Sequence, residues 1–321
     1  MSAAAPLSYL EGYGARAYPV VALTWGLMAI SITVTVIVTG LVVWGVLARR
    51  RGSAFGPLGE RPVERGGDGL RWISIGLGVS CLALLGALVW TVKVLAEINE
   101  PGGRPPLTVE VTGRQWWWQV RYLGAGPGGG AVETANEIHI PTGAAVRFRL
   151  EGGDVIHSFW VPGLGGKTDT IPGRTNVAWL EADRPGRYAG QCAEFCGLQH
   201  GGMALQVVAE PPAVFNAWLA GQAAAAPKAD PATADGRRIF LDRCGRCHTV
   251  RGLDVGRSPA PDLTHLMSRA SLAAGAAPNT AAGLSGWIAN PQGVKPGALM
   301  PAMDLTGPQL GAVTAYLETL K

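Results

Sequence analysis

The sequence predicts a multidomain protein: a two-helix transmembrane hairpin, then a β-sandwich or barrel, then an all-α domain. Three observations predict it. Two long uncharged apolar runs lie before residue 98. Short alternating runs broken by Gly and Pro occupy residues 105–212. From Gly236 onward the spacing of apolar residues becomes helical.

The apolar runs are Val20–Ala48 and Trp72–Val92. Each is at least as long as the roughly 20 residues needed to cross a hydrocarbon core about 30 Å thick. The first is too long for the apolar part of a cleaved signal, and Glu11 and Arg16 precede it where a basic cluster is expected. Residues 1–19 therefore form an N-terminal segment and 20–97 a hairpin with a loop at 49–71. That loop carries Arg49, Arg50, Arg51, Arg61, Arg65 and Arg71 against Glu60, Glu64 and Asp68. A basic excess between two spans marks the cytoplasmic side. Both termini and everything after residue 97 are then outside, most simply in a bacterial periplasm, with the hairpin in the inner membrane. Cys81, within the second run, reads as a small buried hydrophobe.

After the spans, strands are expected at Leu107–Val111, Trp116–Tyr122, Glu137–Ile140, Val146–Leu150, Asn176–Leu180 and Leu205–Val208. The Gly-Pro-Gly-Gly-Gly at 126–130, Pro141-Thr142-Gly143, Pro172-Gly173 and Pro185-Gly186 mark turns between them. A short closing helix (213–220) and an Ala/Pro linker make up 213–235. Helices are expected at Arg237–Cys247, Gly283–Ala289 and Pro308–Leu320 within a domain spanning 236–321. The net charge of +4 is uninformative by itself, and nucleic acid is not an expected partner. Residues 105–212 hold eight basic and ten acidic side chains, whereas 236–321 hold nine and five. Opposite signs favour contact between the two tethered units.

Two short motifs carry the chemistry. The first, C-x-E-x-C-x-x-x-H-x-x-M, places Cys192, Cys196, His200 and Met203 around Glu194. Two thiolates, an imidazole and a thioether form a soft ligand set that selects copper. Zinc fits less well because Met is a poor zinc ligand, and a local disulfide is the remaining alternative. Two sulfurs can bridge a pair of coppers that share one electron. The second imidazole is either His139, in an alternating strand where an outward polar position is expected, or His157, at a strand-to-turn element.

The second motif is Cys244-Gly245-Arg246-Cys247-His248. In C-x-x-C-H the thiols add to haem vinyl groups while the histidine ligates iron; a thiol-redox pair is the alternative and wants a β-α-β context that is absent. A sixth iron ligand is expected downstream at Met300, with Met303 as the second choice. His265 is a further candidate by type but reads as a surface histidine, and Pro259 and Pro261 as shaping the haem-side loop.

Taken together, His157, Lys167, Asp169 and Pro172-Gly173-Arg174, the segment 190–203, and Gln115-Trp116-Trp117-Trp118 resemble cytochrome c oxidase subunit II of the bacterial subgroup with a C-terminal class I-type cytochrome c domain. The resemblance implies a cupredoxin-like β-barrel. In it, His157, Cys192, Cys196, His200, Met203 and the Glu194 carbonyl hold the dinuclear copper CuA centre. The Glu194 carboxylate helps bind Mg or Mn shared with subunit I, and electrons enter at Trp116. It implies covalent haem c, and as partners subunit I, subunit III, cytochrome c or another periplasmic donor, and membrane lipid. The implied function passes electrons from haem c to copper and on to a catalytic subunit that reduces oxygen and pumps protons. An electron-transfer adaptor of a CuA-containing nitric oxide reductase is the alternative, and a copper-delivery protein a third reading. The five histidines are too few to build an oxygen-activating site in this chain as well. Where the family carries a glutamate ahead of the second span this sequence has Gly69, with Asp68 and Glu64 as the nearest acids.

Overall fold

The computed structural model describes residues 7–52, 69–227, 230–253 and 260–321. The chain divides into two compact units, Pro19–Asn99 on one hand and Glu100–Lys321 with the segment ending at Tyr18 on the other. Asp68, Glu64 and Pro259 lie outside the described residues.

The first unit holds α1 (Tyr18–Gly52) and α2 (Gly69–Asn99). Both are long and apolar enough to cross a membrane. Several hydroxyls in these helices bond within them: Thr24, Thr33 and Thr91 each donate to the carbonyl four residues back at 2.8 Å. In hydrocarbon, where no water is on hand, that back-bonding removes the penalty of a bare hydroxyl. The helices touch where Gly26 faces Trp90; a Cβ there would sit 2.3 Å from the indole. Cys81 is exposed on α2 rather than buried, because this stretch of α2 has large apolar side chains exposed throughout.

The second unit begins with two five-stranded sheets. One has the order β3 (Val132–Ala135), β2 (Trp117–Tyr122), β1 (Leu107–Arg114), β5 (Val146–Gly152), β8 (Asn176–Leu180). The other has the order β4 (Glu137–Pro141), β10 (Ala204–Glu210), β9 (Gly186–Cys192), β6 (His157–Trp160), β7 (Thr168–Thr170). The pairs β1–β5 and β4–β10 are parallel and the other pairs antiparallel. Alternation along β5, with Val146, Phe148 and Leu150 inward and Arg147 and Arg149 outward, shows how these sequences make half-buried strands. Val109, Val111, Trp118 and Val120 from one sheet and Ile138, Ile140, Phe159 and Val207 from the other fill one apolar core. The result is a cupredoxin-like sandwich. Residues of the N-terminal segment are fastened to it: Tyr13 N–H donates to the Gly163 carbonyl (2.8 Å) and the Tyr18 hydroxyl to Asp183 (2.6 Å).

The expected strands are all present, with β1 and β10 longer than read. Strands β3, β7 and β9 were not expected. Each is short or carries Gly, Arg or Cys, so its apolar alternation is weak. After α3 (Pro212–Ala223) the chain forms α4 (Ala234–Ile239), continuing as one π-turn over Phe240–Cys244, then α5 (Ala281–Ala289), α6 (Pro291–Val294) and α7 (Gly307–Leu317). This domain is helical, with one small addition to the all-α expectation: β11 (Ser271–Leu272) pairs with β12 (Ala277–Pro278). Its own core gathers Phe240, Leu266, Leu284, Val313, Tyr316 and Leu320.

Candidate functional site

The first site is built at one end of β6 and β9. Their antiparallel register sets Phe159 opposite Cys192, which brings His157 at the start of β6 close to the cysteine ending β9. The loop after Cys192 returns to β10 and is tied back by Cys192 N–H to the Met203 carbonyl (3.1 Å) and Ala193 N–H to the Ser158 carbonyl (3.0 Å). Ligand atoms of His157, Cys192 and Cys196 then all lie within 4.8 Å of one another, and all three residues are buried. The two sulfurs are 3.8 Å apart and unbonded. His200 Nδ1 lies 3.7 Å and Met203 Sδ 3.9 Å from the Cys196 sulfur. The Glu194 carbonyl is 3.2 Å from the Cys192 sulfur.

The electrostatics fit a cation. Burial pushes the Cys192 thiol up, but the His157 ring and backbone hydrogen bonds at Ser158 and Glu194 outweigh it and bring it down to about 6. Cys196 is pushed up to about 12, by burial first and then by the charge on Cys192. One thiolate thus forms readily and the second requires positive charge between the sulfurs. His157 Nε2 is held 2.7 Å from Asp154 Oδ1, while Nδ1, buried, has no hydrogen-bond partner among the described residues. An imidazole with one nitrogen anchored by a carboxylate and the other bare toward sulfur is arranged as a metal ligand. Asp154, which no motif flags, also accepts from the Gln115 N–H at 2.7 Å.

His139 is excluded by the same accounting. It is buried rather than outward, stacked on Trp218 at 3.9 Å, with each ring nitrogen 2.9 Å from a carboxylate, Glu210 or Glu137. The residues of β4 are buried on both faces, the outer one beneath Trp218 of α3 and the Ala270 backbone, which the alternating sequence conceals.

The second site is an apolar cavity of about 300 Å³ in the helical domain. Cys244, Cys247, His248, Met300 and Met303 all line it. His248 Nδ1 lies 2.9 Å from the Pro261 carbonyl; since a carbonyl only accepts, Nδ1 carries the proton and Nε2 keeps its lone pair for a metal. Burial, ahead of the opposing Pro261 bond, lowers the His248 pKa and keeps the ring neutral. Burial pushes the Cys244 thiol up to about 11. His265 is not a surface residue: it is buried, its ring nitrogens lie 2.6 Å from the Lys321 carbonyl and 3.2 Å from the Ala224 carbonyl, and it is not among the residues that line the cavity.

Trp116 and Trp117 also line this cavity, although they come from the sandwich. The Trp116 ring Nε1–H donates to the Cys196 carbonyl at 3.0 Å, as does the Gln115 side-chain amide at 2.8 Å. One indole thus borders the cavity and touches the dithiolate loop. Hydrogen bonds cross the seam from Gln199 to the Pro296 carbonyl (2.9 Å), from Gln222 to Ser268 Oγ (3.1 Å) and from the Ala270 N–H to the Glu137 carboxylate (3.0 Å). No ion pair joins the domains among the described residues.

Comparison with known proteins agrees with both sites. Residues 128–210 match the family described as cytochrome c oxidase subunit II, periplasmic domain, and residues 233–321 match cytochrome c. Cytochrome c oxidase subunit 2 of Alkalihalophilus pseudofirmus is 40% identical over 216 residues, 66% of this chain and 61% of that protein. The subunit 2 of a Bacillus species is 36% identical over 228 residues, covering 67% of this chain and 62% of that protein. The chain thus spans under two thirds of the length of these relatives. The periplasmic domain of subunit II (CoxB) of Bradyrhizobium japonicum is 32% identical, covering 37% of this chain and 95% of that one, with a TM-score of 0.35. A cytochrome c domain implies haem c and a subunit II domain implies copper, and the cavity and the sulfur cluster fit those groups. The chain therefore joins a segment that matches the periplasmic domain of cytochrome c oxidase subunit II to a C-terminal segment that matches cytochrome c.

Proposed function

We propose that this chain is the electron-transfer subunit of a respiratory terminal oxidase in the bacterial inner membrane, with both folded domains in the periplasm. When bound, a covalent haem c and a dinuclear copper centre supply two one-electron carriers that feed a haem-copper subunit I, where oxygen is reduced to water with proton pumping. His157, Cys192, Cys196, His200, Met203 and the Glu194 carbonyl hold the coppers. The Glu194 carboxylate contributes to a Mg or Mn site against subunit I. Cys244 and Cys247 would attach the haem, and His248 and Met300 would be its iron ligands. Met303 lines the same cavity and is the alternative. Cytochrome c or a comparable periplasmic donor delivers electrons, and subunit III and lipid complete the surroundings. The sandwich residues keep the metal dry and rigid, since His157, Cys192, Cys196 and Met203 are all buried. Low reorganisation follows from that rigidity.

The observation that carries this reading is Trp116, whose ring lines the haem cavity and donates to the carbonyl of Cys196. The decisive experiment is optical and EPR spectroscopy on the purified complex together with oxygen uptake. The expected result is a haem c band, an EPR hyperfine pattern from one electron shared over two copper nuclei, and cyanide-sensitive uptake. Isolation with a nitric-oxide-reducing partner and no oxygen uptake would overturn it.

A further inference from the structure

Lys295 is a buried cation that lines the haem cavity without belonging to the ligand set of either site. It is 3% exposed and lies in the loop between α6 and α7 that carries Met300. Its Nζ donates to three backbone carbonyls, Trp116 at 2.7 Å, Gly202 at 2.8 Å and Ala273 at 2.8 Å. Trp116 and Gly202 belong to the sandwich, Ala273 to the helical domain. An ammonium has three donors and no acceptor, so this set satisfies it completely. Burial brings its pKa down to about 8, which marks the cost of keeping the charge from water. A hydrocarbon side chain of similar length would fill the space without that cost. What the ammonium adds is direction: three fixed acceptors define one relative position of the two domains.

The neighbouring residues point the same way. The Pro296 carbonyl accepts from Gln199, and Gly297, with φ near +84°, comes so close that a Cβ would lie 3.1 Å from Leu198 and 3.4 Å from the Trp116 ring. Residues 295–297 therefore rest on the loop between Cys196 and Met203. Both sandwich acceptors adjoin the dithiolate: the Trp116 ring bonds the Cys196 carbonyl, and Gly202 precedes Met203.

We propose that Lys295 is a positioning residue whose ammonium, held by the carbonyls of Trp116, Gly202 and Ala273, latches the haem-bearing domain onto the sandwich in the single register that keeps Trp116 between the two redox sites. Its consequence for electron transfer rests on the function proposed above, whereas the latch itself is measured by domain association.

The test uses the full chain, purified in detergent, with a protease site placed in the linker between residues 227 and 230. After cleavage the two parts of the parent protein co-elute. Lys295→Met separates them, association weakening by about 10-fold or more, as loss of hydrogen bonds to a charged group requires. In the uncut variant both spectra persist while haem-to-copper electron exchange after flash photoreduction slows by about 10-fold or more. Co-elution of the cleaved variant with parent affinity, or separation without slower exchange, overturns the proposal. A readout without any mutation guards against misfolding: acetic anhydride modifies Lys295 in the uncut parent about 10-fold or more slowly than the exposed Lys321, on the same hydrogen-bond grounds. Equal rates overturn the latch. Loss of the copper or haem signal in the parent, with the parts still co-eluting, counts against the electron-transfer reading and leaves the latch standing.

Discussion

Asp154 and His139 show how a carboxylate gives two histidines opposite fates. Asp154 accepts from the Gln115 and Val155 N–H groups and from His157 Nε2, each at 2.7 Å. Because it engages one nitrogen only, the other faces sulfur. In Asp154→Asn the amide lacks one acceptor oxygen, and copper affinity should fall by about 10- to 100-fold, read by copper titration followed by EPR. His139, by contrast, spends both nitrogens on Glu137 and Glu210, while Glu137 also faces Arg187 at 3.5 Å and the Ala270 N–H. Burial lowers the His139 pKa, but the two carboxylates outweigh it and leave it raised. A group whose folded pKa is raised stabilises fully below its unfolded value, about 6.5, and loses that contribution as pH rises through the folded value. Thermal midpoints should therefore fall over that interval. His139→Gln should flatten the fall and cost about 1.5–3 kcal/mol at low pH.

At the scale of elements, the site depends on how closely β1 passes beneath β6. A Cβ on Gly113 would meet His157 Cδ2 at 2.7 Å and Thr170 Oγ1 at 2.9 Å. Gly113→Ala should push the ring from its place and destabilise by about 1–3 kcal/mol, checked by denaturation and by the copper EPR signal. Most elements were legible in the sequence: the spans from length and lack of charge, the longer strands from alternation, α5 and α7 from periodicity. Strands β7 and β9 were not, since Thr168–Thr170 and Gly186–Cys192 carry no clear apolar alternation and are strands because their neighbours pair with them. For the same reason the burial of His139 was invisible. Alternation describes a strand with one wet face, and β4 has none.

Across the whole molecule, the opposite charges of the two soluble domains anticipated their contact but not its chemistry. The seam is made of hydrogen bonds to backbone and side-chain oxygens, those of Lys295 among them, with no ion pair among the described residues. Exposed pairs are screened by salt and buried hydrogen bonds much less. The haem–copper distance measured by pulsed EPR should thus stay the same between low and molar salt; lengthening at high salt would show an electrostatic seam instead.

By itself the sequence determined the chemistry of this protein. Donor types and spacing within Cys192–Met203 and Cys244–His248 are local properties of the chain, and so is the apolar length of the two spans. Only the tertiary structure showed both His139 nitrogens already spent on carboxylates, found Asp154 and Lys295, and put Trp116 against both the haem cavity and the Cys196 carbonyl. Those facts depend on which strand lies beside which and on which nitrogen is already bonded. Residues distant in the chain meet only because the sheets and the domain seam bring them together.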